Sequence, residues 1–62
     1  MGEMRWYIYL HGDGEEVHLA AETLSEAIDT ACSFIRDGLD VVKIESELGF
    51  TIEAHIIRDL CR

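Results

Sequence analysis

Between Trp6 and Leu19 the apolar residues are arranged as a near mirror about Asp13-Gly14. Trp6, Ile8 and Leu10 alternate with Tyr7, Tyr9 and His11, and alternation rich in aromatic and β-branched residues is the mark of a half-buried strand. Asp-Gly then supplies the positive φ that a two-residue type I′ turn requires at its centre. With the turn at Asp13-Gly14, His11 faces Glu16, Leu10 faces Val17, Tyr9 faces His18 and Ile8 faces Leu19. Apolar residues meet across this pair, whereas a one-residue slip would turn one strand's apolar set towards water.

Thr23-Leu24-Ser25-Glu26 follows as a capping box, with Thr23 capping the Glu26 amide and Glu26 reaching back. Leu24, Ala27, Ile28, Ala31, Phe34 and Ile35 recur at helical spacing, and Ser25, Glu26, Asp29, Ser33, Arg36 and Asp37 fall on the opposite side. Gly38 stands where a left-handed residue ends a helix, and Leu39 can fold back on the last turn. Asp40 to Ser46 reads as a third strand, with Val42 and Ile44 inward and Val41, Lys43 and Glu45 outward. A two-residue loop after it would oppose Ile44 to Glu53. A three-residue loop, Glu47-Leu48-Gly49, instead sets Ile44 against Ile52, Lys43 against Glu53 and Val42 against Ala54. The tail supports two patterns. Phe50 to Ile56 alternates, favouring a strand to about Ile57 with a loose or helical end, while Ala54, Ile57, Leu60 and Cys61 could line a short helix.

The expected fold is α+β: a ββαββ chain forming a four-stranded antiparallel sheet, one helix on one face, and room for a short C-terminal helix. Residues 1–62 are read as one small domain. The predicted core is Trp6, Ile8, Leu10, Val17, Leu19, Val42, Ile44, Phe50 and Ile52 against the apolar side of the helix. The other sheet face is left open, carrying Tyr7, Tyr9, His11, Glu16, His18, Val41, Lys43, Glu45, Thr51, Glu53 and His55.

Composition narrows the function classes. Thirteen Asp and Glu oppose five Lys and Arg, for a formal net charge of −8, while 48% of residues are hydrophobic. The apolar content exceeds that of a disordered segment. The acidity argues against direct binding of nucleic acid or an anionic membrane, both of which attract clustered cations. No apolar run approaches the roughly 18 residues of a membrane helix, and no basic-then-apolar export signal is read at the N-terminus. Cys32 and Cys61 are too few for a disulfide scaffold and read as separate thiols, which fits a reducing, cytoplasmic setting. A chain of this length buries only about 60% of its unfolded surface, so association with a partner or a second copy is expected.

Chemistry is sparse. Ser25, Ser33, Cys32 and Ser46 have no base beside them in the pattern, and no glycine-rich loop precedes a helix. The reading is therefore non-enzymatic, with no cofactor. His11, His18 and Glu16 share one end of the first hairpin, yet no HxH, CxxC or HExxH spacing occurs, and no metal is assigned. Tyrosine on an open face offers large contact area at small entropic cost. Tyr7, Tyr9, Glu16, Glu45 and Glu53 are the candidate partner-binding residues, and a protein with a basic surface is the partner that an acidic body would be steered to.

The run Ala21-Glu22-Thr23-Leu24-Ser25-Glu26-Ala27, with Val41-Val42-Lys43-Ile44-Glu45-Ser46-Glu47-Leu48-Gly49, resembles small phage-encoded anti-CRISPR proteins. Some of these share the strand-strand-helix-strand-strand plan and the "LSEA…IE…G" rhythm, over about half of the chain. The resemblance implies a non-enzymatic inhibitor seated on the basic surface of a nucleic-acid-handling effector; it carries over no individual contact residue. The same Thr-Leu-Ser-Glu-Ala helix start resembles antitoxins of the HicB type, many of which add a DNA-binding domain. Self-association through the open face or an edge strand is the alternative function.

Overall fold

The structure, a computed structural model, describes residues 4–12 and 14–61. Its elements run β1 (Trp6–Gly12), β2 (Glu15–Ala21), α1 (Leu24–Arg36), β3 (Asp40–Ser46), β4 (Thr51–Glu53) and α2 (Ala54–Leu60). The strands form one antiparallel sheet in the order β2-β1-β3-β4. This is the expected ββαββ plan, with both helices present. The slab measures 36 × 27 × 15 Å along its principal axes.

Local chemistry sets each boundary. Gly12 pairs with Glu15, so two residues make the first turn; Gly14 has φ 81°, and Asp13 lies outside the described residues. From Trp6↔Ala21 to Gly12↔Glu15 the β1–β2 register is the one that the mirror pattern requires. The Thr23 hydroxyl accepts from the Glu26 amide at 3.1 Å, the forward bond of the capping box. At the other end the Leu39 amide donates to the Phe34 carbonyl and the Gly38 amide to the Ile35 carbonyl. With Gly38 at φ 85°, that pair of bonds is a Schellman cap.

The second hairpin has its three-residue loop. The Ser46 amide donates to the Phe50 carbonyl at 2.8 Å and the Gly49 amide to the Ser46 carbonyl at 3.0 Å, with Gly49 at φ 94°. The Ser46 hydroxyl, buried, accepts from the Phe50 amide at 3.0 Å. Ile44↔Ile52 and Lys43↔Glu53 pair as expected.

The core consists of Trp6, Ile8, Ala21, Ala27, Ala31, Val41, Ile44 and Ile57. Ala27 and Ala31 put the least bulk on the buried side of α1, which lets the helix backbone lie close to the sheet.

Four expectations need correcting. First, strict alternation put Val42 inward and Val41 outward, but Val41 is 2% exposed and Val42 37%. Tyr9 pairs with Lys43 while Leu10 pairs with Val41, so Val42 is an extra residue in β3, a bulge that turns Val41 to the helix side. Second, Val17, Leu19 and Phe50 are exposed at 47%, 41% and 62%. α1 lies mainly over β1 and β3 and only brushes β2, and α2 lies over β3 and β4 without reaching β2, so Val17 and Leu19 share the helix side but stay largely uncovered. Phe50 stays in the loop before β4.

Third, β4 stops at Glu53 and the tail is helical from Ala54, so Val42 does not face Ala54. Helical spacing places Ile57 in the core and Cys61 against it, whereas a strand continued in phase with Ile52 would turn both to the opposite face. Fourth, the cysteines are bonded to each other: Cys32 on α1 and Cys61 at the end of α2 form a disulfide, with Cα atoms 5.4 Å apart. α2 has seven residues, one of them fully buried, and no side-chain N-cap, so the bridge is a main anchor for it.

A bridge between cysteines 29 residues apart removes loop entropy from the unfolded chain worth about 3–4 kcal/mol. Reduction, or the pair Cys32→Ser and Cys61→Ser, should therefore lower the unfolding free energy by about that amount. Urea titrations with and without reductant read this directly, and coincident midpoints would show that the bridge does not close this loop in solution.

Candidate protein-binding face

Directly opposed residues in an antiparallel sheet share a face, with Cβ atoms about 4.5–5.5 Å apart. The register therefore fixes the layout of the side that no helix covers. One row across the strands reads Ala20, Tyr7, Glu45, Thr51, and the next reads His18, Tyr9, Lys43, Glu53. Glu16 and His11 are opposed at the hairpin end.

These rows are bonded laterally. The His18 imidazole meets Tyr7 edge-on at 5.9 Å between centroids and lies tilted against Tyr9 at 5.5 Å. On the other flank, Lys43 Nζ sits 4.9 Å from the Tyr9 ring centroid and 3.8 Å from Glu45 Oε1. The Thr51 hydroxyl donates to Glu45 Oε2 at 3.3 Å. Tyr7 and Tyr9 are half-buried under these neighbours, so their rotamers are restrained before any partner arrives. Lys43 is the one Lys or Arg in the four strands, and it lies between a tyrosine and a carboxylate.

Of the five candidate residues, Tyr7, Tyr9 and Glu45 stand together at the centre. Glu16 is exposed at the β1–β2 turn end, and Glu53 closes the far edge. Glu53 is also the residue before α2, and its carboxylate lies 3.4 Å from His55 Nδ1. His55 belongs to α2 and Val41 to the core, so neither joins the sheet's open face as expected. The alternation that put them there fails at the β3 bulge and at the strand-to-helix switch.

His18 and Lys43 complete the cluster and were not among the candidates. The Tyr9–His18 pairing is readable from the hairpin register. The Tyr9–Lys43 pairing depends on β1 lying beside β3, a long-range choice that the local pattern does not express. Among the described residues no three His, Cys, Asp or Glu side chains come together as a metal site would need, and no pocket opens on the surface.

No protein-family model matches this chain, and no curated protein or solved structure is similar to it. The geometry stands alone. What it offers chemically is a restrained aromatic patch, bordered by carboxylates and carrying Lys43 already engaged within the face.

A cation over a partly exposed tyrosine is worth about 0.5–1 kcal/mol. A double-mutant cycle on Tyr9→Leu and Lys43→Met should give a coupling energy of about that size by urea denaturation. Additivity of the two substitutions would mean that Lys43 does not hold Tyr9.

Proposed function

We propose that this chain is a non-enzymatic binding protein that inhibits or modulates a nucleic-acid-handling partner through the open sheet face. Tyr7 and Tyr9 are the central anchors; Glu16, Glu45 and Glu53 meet basic residues of the partner. The observation that carries the reading is the restrained Tyr7–His18–Tyr9–Lys43 cluster on a face without a covering layer. Rigid aromatic side chains are favoured interface anchors because little rotamer freedom remains to be lost. The net charge of −8 adds long-range attraction to a basic surface, which acts mainly on the association rate and weakens with salt. A basic groove that otherwise holds nucleic acid has the required complementarity, in line with the resemblance to anti-CRISPR proteins.

No helix among the described residues is long and apolar enough to cross a membrane. The cytoplasm is the proposed setting without the support of separate thiols: the Cys32–Cys61 bond counts against it, because cytosolic thiol pools keep most protein disulfides reduced, and so provides a direct test. Rapid alkylation at lysis should label both cysteines in a cytoplasmic protein; recovery of unlabelled, bridged chain would assign an oxidising compartment instead.

Affinity capture from the native lysate, washed at low and high salt, should retain a basic nucleic-acid-binding protein at low salt only. Against that purified partner, Tyr9→Ala and Glu45→Lys should each weaken binding about tenfold or more, equivalent to at least about 1.4 kcal/mol. Unchanged affinity in variants with a native circular dichroism spectrum would remove the open face from the interface.

A further inference from the structure

We propose that β2 is the seam of a homodimer, in which two copies pair antiparallel about His18 to make one continuous eight-stranded sheet. β2 is an outer strand of seven residues, paired with β1 without a break in register, and no described strand lies beyond it. Long, regular edges are usually blunted by proline, a bulge, charged side chains or a covering element, since their free backbone groups invite another strand. β2 has no proline, bulge or cover, and its two charges, Glu15 and Glu16, stand together at the turn end, leaving residues 17–21 uncharged. The other edge, β4, is three residues long and runs directly into α2.

Val17 and Leu19 add a side-chain reason. They lie on the helix side of the sheet, opposite Leu10 and Ile8, but beyond the cover of α1 and α2. Their position leaves a short apolar strip along the same edge that lacks a backbone partner.

The sequence of β2 selects the register and the occupant. With His18 opposite His18 of a second copy, Val17 faces Leu19 and Leu19 faces Val17, while Glu16 faces Ala20 and Glu15 faces Ala21. Shifting the two-fold to Val17 sets Leu19 against Glu15, an apolar residue against a charge. Shifting it to Leu19 sets Glu16 against Glu22, a like-charge pair. Of these three registers, the His18 one alone sets Val17 and Leu19 against each other and keeps carboxylates apart, its glutamates facing alanines. It also places each Glu16 diagonal to the other copy's His18, giving two symmetry-related polar pairs of complementary character. The seam uses the same patch on both copies, as a closed two-fold dimer requires.

The arrangement has a consequence for the open face. His18 already contacts Tyr7 and Tyr9, so the seam would run the two aromatic rows together on one side of the joined sheet. One strand per copy is a small interface, of the class below roughly 1,200 Å² that associates weakly and reversibly. Each copy carries a charge of −8, so screening by salt should favour the dimer.

Sedimentation equilibrium of the full chain over a micromolar-to-millimolar dilution series tests this. The weight-average mass should climb from one copy towards two with concentration, with the midpoint at lower concentration in high salt. Leu19→Lys, at a half-exposed position, should shift that midpoint at least tenfold upward while circular dichroism stays native. Isotope-filtered nuclear Overhauser spectra on a mixture of labelled and unlabelled wild-type chain provide a readout independent of that variant: Val17 methyls should show contacts to Leu19 methyls of the other copy. A single-copy mass at every concentration would overturn the proposal. So would a dimer whose intermolecular contacts map to Tyr7, Tyr9 or α2 rather than to Val17 and Leu19.

Discussion

The pairing of β1 with β3 is the interaction on which the rest of the molecule depends. Each hairpin is a local object that could form from its own turn. A lone two-stranded hairpin is marginal in water, however, and needs further strands or a helix against one face. β1 supplies both by lying between β2 and β3, which brings Ile8 beside Ile44 and Trp6 beside Ser46. The connection from β2 to β3 is α1, whose Ala27 and Ala31 face the sheet, so the crossover that joins the hairpins also caps their shared core.

Two departures from regularity follow from filling that core with few residues. The bulge at Val42 spends one β3 residue to turn Val41 inward, where it lies against Leu10 at the end of the helix layer. The switch from β4 to α2 after Glu53 shortens the outer strand and brings Ile57 over the sheet. In each case an apolar side chain is buried at the expense of ladder pairing, consistent with a small domain in which burial is scarce. The Cys32–Cys61 bond then ties the short second helix to the first, a covalent restraint of the kind that small domains use when the core alone is thin.

The same scarcity shapes the surface. Two short helices cannot cover a four-stranded sheet on both sides or to both edges. One whole face is therefore left to Tyr7, Tyr9, His18 and Lys43, and the β2 edge is left with Val17 and Leu19 in view. These are distinct surfaces with distinct chemistry. The face is aromatic with a border of carboxylates and is the one proposed to meet a basic partner, while the edge is a backbone ladder with an apolar border and is the one proposed to pair with another strand. His18 touches both, since it belongs to the edge strand and packs on the tyrosines of the central one.

The local features were legible because each is encoded within a few residues. Asp13-Gly14 and the alternation around it fix the first hairpin to the residue, Thr23 and Gly38 fix the ends of α1, and Gly49 fixes the three-residue loop of the second hairpin. Tyr7, Tyr9 and Glu45 could be assigned to one face on that basis alone. Lys43 over Tyr9 could not, because strand order is a choice between distant segments. Adjacent Val41 and Val42 give equal local support to either facing, so only packing against Leu10 selects between them. The 50–61 tail carries both a strand period and a helix period, and the helix prevails because it buries Ile57 and brings Cys61 within bonding distance of Cys32. Sequence alone thus determined turns, caps and the hairpin registers, where neighbouring residues decide the energy. Tertiary structure decided the bulge, the second helix and the disulfide, where the deciding partner lies tens of residues away.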